Sequence, residues 1–342
     1  MTTTPPLNTP PLKPTAVVAI HGGAGTIARA ATSPAQQARY RTALDEILHA
    51  AQAMLAGGAD AIDVVTEAVR RLEECPLFNA GFGAVYTAEG RHELDACVMR
   101  GSDRASGAVA GVRTVRNPVL AARAVLEAGG PVLLIGPGAE RFAHEHGCEA
   151  VAPEWFGTPE RLAQLHAASA DGSAMLDHDA NGTAGAVEAA PPLDERDKFG
   201  TVGAVALDMH GHLAAATSTG GMTNKRPGRV GDSPLVGAGC YANDRTVAVS
   251  CTGVGEAFIR AVAAHDVSAL IEYGGLSLQQ ATNRVVMETL PPLGGRGGLI
   301  AIDTHGEVAL PFNTEGMYRG WARVGDAPVS AIYADETLAY PR

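Results

Sequence analysis

The tightest constraint on this chain is a polar-to-apolar border near its middle, where residues 197–208 read D-K-F-G-T-V-G-A-V-A-L-D. The segment before the border is rich in Ala, Pro and Asp and lacks the apolar content of a core. From Val202 the pattern predicts a strand of small residues, a turn at Asp208–Gly211 and a second strand over Leu213–Thr217. A Gly-Thr pair at such a border is a place where a chain can cut itself. The Thr201 hydroxyl can attack the Gly200 carbonyl, and Gly200 has no Cβ to resist the strained geometry. Cleavage would leave Thr201 with a free α-amine beside its own hydroxyl. An α-amine titrates near pH 7–8, so it can take the hydroxyl proton at neutral pH without a histidine. A plain strand threonine gives the same short string, so the rest of the chain has to decide.

The 342 residues are enough for one large domain or two ordinary ones. The formal charge of -11 argues against nucleic acid or an anionic membrane as partner, since both require a concentrated basic surface. No apolar run approaches the roughly 18–20 residues of a membrane span. Residues 1–14 are Pro- and Thr-rich without the layout of a signal peptide, so they read as a disordered leader on a cytoplasmic protein. The five cysteines, Cys75, Cys97, Cys148, Cys240 and Cys251, are widely spaced and form no C-x-x-C pair, which suits free thiols in a reducing compartment.

Along the chain, Thr15–Ile20 reads as a buried strand running into His21-Gly22-Gly23-Ala24-Gly25. Ser33-Pro34 opens a helix whose apolar stripe reaches Gly57-Gly58, and a second helix follows from Ala59. Glu93–Met99 and Gly107–Val112 read as paired strands, Asn117–Leu126 as a helix, Pro131–Ile135 as a strand and Ala139–His146 as a helix. Gly136-Pro137-Gly138 and Gly253-Val254-Gly255 fail the dinucleotide fingerprint, with Arg141 and Phe258 where its third glycine belongs. Residues 169–196 read as a flexible linker. Asp177-His178-Asp179 inside it, His144-x-His146 and His210-x-His212 lack convincing zinc spacing. Beyond the central hairpin the pattern predicts a strand over Val247–Cys251. Helices follow near Glu256–His265, Val267–Tyr273 and Leu278–Leu290, then strands over Leu299–Asp303 and Val308–Pro311.

Three clusters in the second half carry the chemistry that Thr201 would need. Thr217-Ser218-Thr219-Gly220-Gly221 sets hydroxyls beside a glycine turn. Arg229-Val230-Gly231-Asp232 sets opposite charges three residues apart, matching the carboxylate and ammonium of an amino acid, although a surface ion pair looks the same. Thr252-Gly253-Val254-Gly255 follows a strand and offers a hydroxyl and an unencumbered N–H to one oxygen, as an oxyanion hole requires; it is also a plain strand-to-helix turn.

Together with H-G-G-A-G, N-A-G-F-G-A-V-Y-T, E-L-D-A-C-V-M and P-F-N-T-E-G-M, these motifs resemble the plant-type asparaginases, or isoaspartyl peptidases. Those proteins are self-processing N-terminal-nucleophile hydrolases, and the resemblance spans about Val17 to Tyr333. It implies an α+β fold, a four-layer αββα sandwich, forming one hydrolase domain over residues 15–342. Autocleavage between Gly200 and Thr201 would give a 1–200 α chain and a 201–342 β chain, assembled as a dimer of αβ pairs. Thr201 would be the nucleophile and Thr219 its support. Arg229 and Asp232 would hold the substrate's α-carboxylate and α-amine, with Val230, Gly231, Val254, Gly255 and Asn79 around the substrate. Thr252 and Gly253 would form the oxyanion hole. No cofactor would enter the chemistry, but a structural sodium ion would be bound by main-chain carbonyls of Leu72, Glu73, Cys75, Phe78, Ala80 and Phe82. Such ligation suits a hard cation and has no side-chain signature. The implied activity is hydrolysis of isoaspartyl dipeptides and L-asparagine. A glycosylasparaginase-like amidase and an unprocessed amino-acid-binding pseudoenzyme are the alternatives.

Overall fold

The computed structural model describes residues 16–25, 27, 29–170, 200–336 and 338. The expected leader and the Asp177-His178-Asp179 triplet lie outside the described residues. So does the expected linker beyond residue 170.

Strand β1 (Val17–Gly25) is followed by helices α1 (Pro34–Ala56) and α2 (Ala61–Glu73), then strands β2 (Leu94–Arg100) and β3 (Ser106–Val112). Helix α3 (Pro118–Ala128), strand β4 (Leu133–Ile135), helix α4 (Gly136–Glu145) and helix α5 (Pro159–Ala170) complete the first half. The second half begins with β5 (Thr201–Leu207) and β6 (Leu213–Thr219), then β7 (Cys240–Ala242) and β8 (Val247–Gly253). Helices α6 (Gly255–Ala261), α7 (Ala263–Glu272) and α8 (Leu278–Asn283) lead to β9 (Gly297–Asp303), β10 (Val308–Ala309), β11 (Gly316–Arg323) and β12 (Val329–Tyr333).

These strands make two sheets. The larger has the order β12-β11-β1-β5-β6-β2-β3-β4 and the smaller β10-β9-β8-β7. The alternation of side chains along a strand sorts each residue of the larger sheet to one of two cores. Val18, Ile20, Val202 and Ala204 pack with Leu44, Leu48, Val65 and Val69 of α1 and α2. Val17, Ala19, Val205 and Leu207 pack with Val249, Leu299 and Ile300 of the smaller sheet. By the same alternation Thr201, Thr217 and Thr219 belong to the face that meets the smaller sheet. The hairpin β5–β6 is buried throughout, and its run of Gly, Ala and Ser lets helices and the second sheet approach closely on both sides. The antiparallel register pairs Thr201 with Thr219 and His21 with Gly203.

The structure corrects several boundaries. Residues 169 and 170 close α5 rather than opening a linker. Gly136-Pro137-Gly138 is the first turn of α4, with Pro137 in the position where a missing N–H costs nothing. Val262 adopts a left-handed conformation (φ 51°) and breaks the expected Glu256–His265 helix into α6 and α7. Residues Arg284–Thr289 continue α8 as a π-helical turn. The sequence pattern does not predict strands β7, β11 and β12: the first has three residues, and β11 reads G-M-Y-R-G-W-A-R, whose glycines and arginines mask any alternation.

Candidate active site

Thr201 opens β5 and is 7% exposed. Its Oγ1 donates to Thr219 Oγ1 at 3.2 Å, and the Thr219 hydroxyl donates onward to the Gly200 carbonyl at 3.4 Å. The Gly221 N–H completes the set by donating to Thr219 Oγ1 at 2.9 Å. Thr219 therefore accepts twice and donates once, which fixes its rotamer and aims its hydrogen at the carbonyl that precedes Thr201. This is possible because the strand register sets the two threonines opposite each other.

Asn79 buttresses the other side of Gly200. A Cβ on Gly200 would lie 2.5 Å from the Asn79 Cβ, so only glycine fits there. The Asn79 side chain is committed within the chain: Nδ2 donates to the Gly221 carbonyl at 2.6 Å, and Oδ1 accepts from the Val85 N–H at 2.9 Å. Lys225 underlies the same glycine turn. A Cβ on Gly221 would lie 2.8 Å from its Nζ, which donates to the Glu93 carbonyl at 2.7 Å.

One pocket collects Gly200, Thr201, Thr219, Arg229, Gly231, Asp232 and Gly253 from the expected set, and adds Gly221, Met222 and Ser233. Arg229 grips Glu256 in a fork, Nε to Oε1 at 2.8 Å and Nη2 to Oε2 at 2.9 Å. A Cβ on Gly255 would fall 2.9 Å from Asp232 Oδ1 and 3.1 Å from Arg229 Nη2, so the two charges meet beside that glycine. Burial lifts the Asp232 carboxyl to about 7, against the nearby Arg229 guanidinium, which favours the ionised form. Thr252 lies behind the pocket, fully buried, with Oγ1 accepting the Ala24 N–H at 3.2 Å. Gly253 has φ 150°, and any Cβ there would collide with the Arg296 carbonyl, so the chain needs glycine at this turn. Val230 lines a different cavity with Arg113, Ile135 and Pro137. Among the expected residues, Thr252, Val254, Gly255, Val230 and Asn79 are not part of the pocket lining.

Residues 14–332 match the model of a family described as Asparaginase. The chain belongs to the asparaginase family. It is 63% identical to the isoaspartyl peptidase of Escherichia coli over 321 residues, covering 94% of this chain and 97% of that one. It is 40% identical to the plant-type L-asparaginase of Pyrobaculum calidifontis, covering 90% and 97%. The isoaspartyl peptidase/L-asparaginase of Danio rerio is 37% identical, with 93% and 96% covered.

In this asparaginase-family chain a buried polar network runs beneath β5. His21 Nε2 meets Ser250 Oγ at 2.9 Å, Ser250 Oγ meets Thr217 Oγ1 at 2.7 Å, and Thr217 Oγ1 donates to the Gly239 carbonyl at 3.2 Å. Burial drives the His21 pKa down to about 3, so the ring is neutral and holds the sheets together without charge.

The loop expected to hold sodium follows the C-terminal turn of α2, where helix carbonyls lack helical N–H partners and the dipole is negative. A Cβ on Gly83 would lie 2.7 Å from both the Pro76 and Phe78 carbonyl oxygens, and one on Gly81 would strike the Glu73 carbonyl. Main-chain oxygens thus approach two glycines in left-handed conformations, while the carbonyls of Leu72, Glu73 and Cys75 accept the N–H groups of Cys75, Phe82 and Phe78. Among the described residues no cluster of His, Cys, Asp and Glu is placed to hold a metal.

Sequence reasoning missed Met222, Ser233 and Glu256. Ser233 directly follows Asp232, so proximity in sequence was an available signal. Glu256 stands 27 residues from Arg229, and nothing local links them.

Proposed function

We propose that this chain is a hydrolase of isoaspartyl (β-aspartyl) dipeptides and L-asparagine that matures by cutting itself between Gly200 and Thr201. The observation that carries the reading is the hydroxyl relay from Thr201 through Thr219 to the Gly200 carbonyl, set in the same pocket as Arg229 and Asp232. The names of the relatives support the substrate class.

In maturation, Thr201 Oγ1 attacks the Gly200 carbonyl carbon while Thr219 donates to its oxygen. The C–N bond breaks, the amide nitrogen takes the proton, and the resulting ester is hydrolysed by water to leave a free Thr201 α-amine. In turnover, that amine accepts the Thr201 hydroxyl proton as Oγ1 attacks the β-carbonyl of the substrate. The developing oxyanion is met by the Thr252 hydroxyl and the Gly253 N–H. Arg229 holds the α-carboxylate, using the guanidinium edge that Glu256 leaves free, and Asp232 holds the α-ammonium. The proton passes to the leaving amine, and water then attacks the acyl-enzyme to release aspartate. Val230, Gly231, Val254, Gly255 and Asn79 shape the pocket around these groups.

A sodium ion held by the carbonyls of Leu72, Glu73, Cys75, Phe78, Ala80 and Phe82 would pin the loop that carries Asn79 against Gly200. The two facing sheets, with α1–α3 against one and α7 and α8 against the other, support a four-layer αββα sandwich as one domain over residues 15–342. The mature unit is a dimer of αβ pairs. Five cysteines without a disulfide among them suit a cytoplasmic setting.

Intact mass after incubation at neutral pH tests the reading. It should show two chains, one ending at Gly200 and one starting at Thr201, with hydrolysis of both β-aspartyl-leucine and L-asparagine. Thr201→Ala should remain one chain and lose all turnover; activity surviving that change would refute the mechanism.

A further inference from the structure

Behind the candidate pocket lies a buried cation that the proposed chemistry leaves unused. Lys225 is 1% exposed, and its Nζ donates to the Glu93 carbonyl at 2.7 Å. Arg229 and Arg113, cations whose fields reach Lys225, are each held by a carboxylate, the first by Glu256 and the second by Glu93. Among the described residues no carboxylate oxygen stands within ion-pair distance of Lys225 itself; its bond goes to a main-chain carbonyl. A buried ammonium without a paired anion is costly to keep, so its place calls for a reason.

That place is one residue behind the support of the nucleophile. A Cβ on Gly221 would fall 2.8 Å from Lys225 Nζ, and the Gly221 N–H donates to Thr219 Oγ1 at 2.9 Å. Thr219 Oγ1 in turn accepts from Thr201 Oγ1 at 3.2 Å. Gly221 has φ 83° and no side chain, so here only a glycine stands between the ammonium and the two hydroxyls. Gly221 lines the pocket and Lys225 does not, so the charge acts on the site from behind.

The titratable groups around it leave that charge standing. Asp95, which β2 places opposite Thr219, is buried, and burial pushes its carboxyl up toward the neutral form against the pull of Lys225. The Glu93 carboxylate is engaged by Arg113 and by the Gly228 N–H. Burial holds the His92 ring neutral, with a pKa of about 4. Burial also lowers the pKa of Lys225, while Asp95 and Glu93 raise it. In the pocket, Arg229 is balanced by Glu256, and Asp232 titrates near 7.

We propose that Lys225 is a positioning residue that works by its field: its ammonium, held behind Gly221, keeps the Thr201 α-amine free of a proton at neutral pH and so ready to act as base. The proposal rests on the hydrolase reading for the existence of that amine, and it makes a separate claim about what sets its titration. A unit charge roughly 10 Å away, at an effective dielectric near 20, moves a titration by about one pH unit.

The test is the titration of the Thr201 α-amine in the cut protein, read by trace acetylation with deuterated acetic anhydride at stepped pH and the mass of the first β-chain peptide. Lys225→Gln keeps a donor for the Glu93 carbonyl and removes the charge. Its amine should titrate about one pH unit above that of wild type, and the acidic limb of kcat for β-aspartyl-leucine should move up with it. Lys225→Arg keeps the charge and should titrate with wild type. An unmoved titration in Lys225→Gln would overturn the proposal, as would an equal loss of kcat at every pH in both variants, the mark of a packing role. Lys225→Met carries the same test if the glutamine protein fails to fold. A cut wild type that hydrolyses nothing would refute the hydrolase reading, and the labelling, which needs no turnover, would still decide on Lys225. A wild type that is never cut has no such amine and would overturn both.

Discussion

Burial holds a proton on Asp232 far above the ordinary carboxylate range, to about 7, and this has a consequence for binding. In the unfolded chain the group ionises near its ordinary value of 3.8, while in the fold it stays neutral until about 7. Its contribution to stability is therefore complete below the unfolded value and is lost as pH rises through the folded one. For a ligand ammonium the sign is opposite, since only the ionised carboxylate offers a charge. Affinity for L-aspartate should rise as pH increases from 6 to 8 and flatten above, whereas succinate should show no such rise. Titrations at pH 6, 7 and 8 would decide it, and a flat aspartate profile would mean that Asp232 does not meet the amine. Thr201, Thr219, Arg229 and Asp232 were legible in the sequence because each sits in a motif whose residue types announce its chemistry. Glu256 was not, because a glutamate on a helix has no distinguishing pattern until the fold gives it neighbours, and Ser233 had only its place directly after Asp232 to mark it.

At the level of elements, the hairpin β5–β6 could be read from its small residues and from the Asp208 turn. Asp208 Oδ1 accepts the N–H groups of His210 and His212, and its Oδ2 accepts that of Ala61 at the start of α2. One carboxylate thus closes the hairpin and fastens the helix behind it. The break at Val262 was not legible, because a β-branched residue is among the least suited to a left-handed conformation and sequence rules place it inside the helix. The loop after α2 is a different case. Its carbonyls belong to the backbone, and no choice of side chain reveals them. Replacing sodium chloride by tetramethylammonium chloride at equal ionic strength should lower the thermal midpoint, by roughly 2–4 °C for each kcal/mol of cation binding lost. Identical midpoints in the two salts would remove the sodium site from this loop.

For the whole molecule, the larger sheet is interleaved. Strands β1 to β4 precede Gly200 and the others follow it, yet β1 lies between β11 and β5, and β6 pairs with β2. After the proposed cut, the two pieces share one sheet and cannot part without breaking three strand pairings and both cores. The cut protein should therefore elute as a single species in size-exclusion chromatography under native conditions. A dimer of αβ pairs would place it at roughly 70 kDa, twice the 35.1 kDa of the chain. Separate elution of the two pieces would contradict the interleaving, and elution near the mass of one pair would contradict the dimer.

The order of strands in space is indifferent to the order in which they are encoded. Near the far end of the chain the Val324 N–H donates to the Ala16 carbonyl at 2.9 Å, so β11 returns to the place where β1 begins. The polypeptide is close to a ring that has been opened at one point and is due to be opened at another. A circularly permuted gene, starting at Thr201 after its initiator methionine and rejoining the old termini through residues 1–15, would give the nucleophile a true amino terminus once that methionine is excised. In such a protein, maturation would no longer be a chemical event in the active site but the trimming of one residue from a newly made chain.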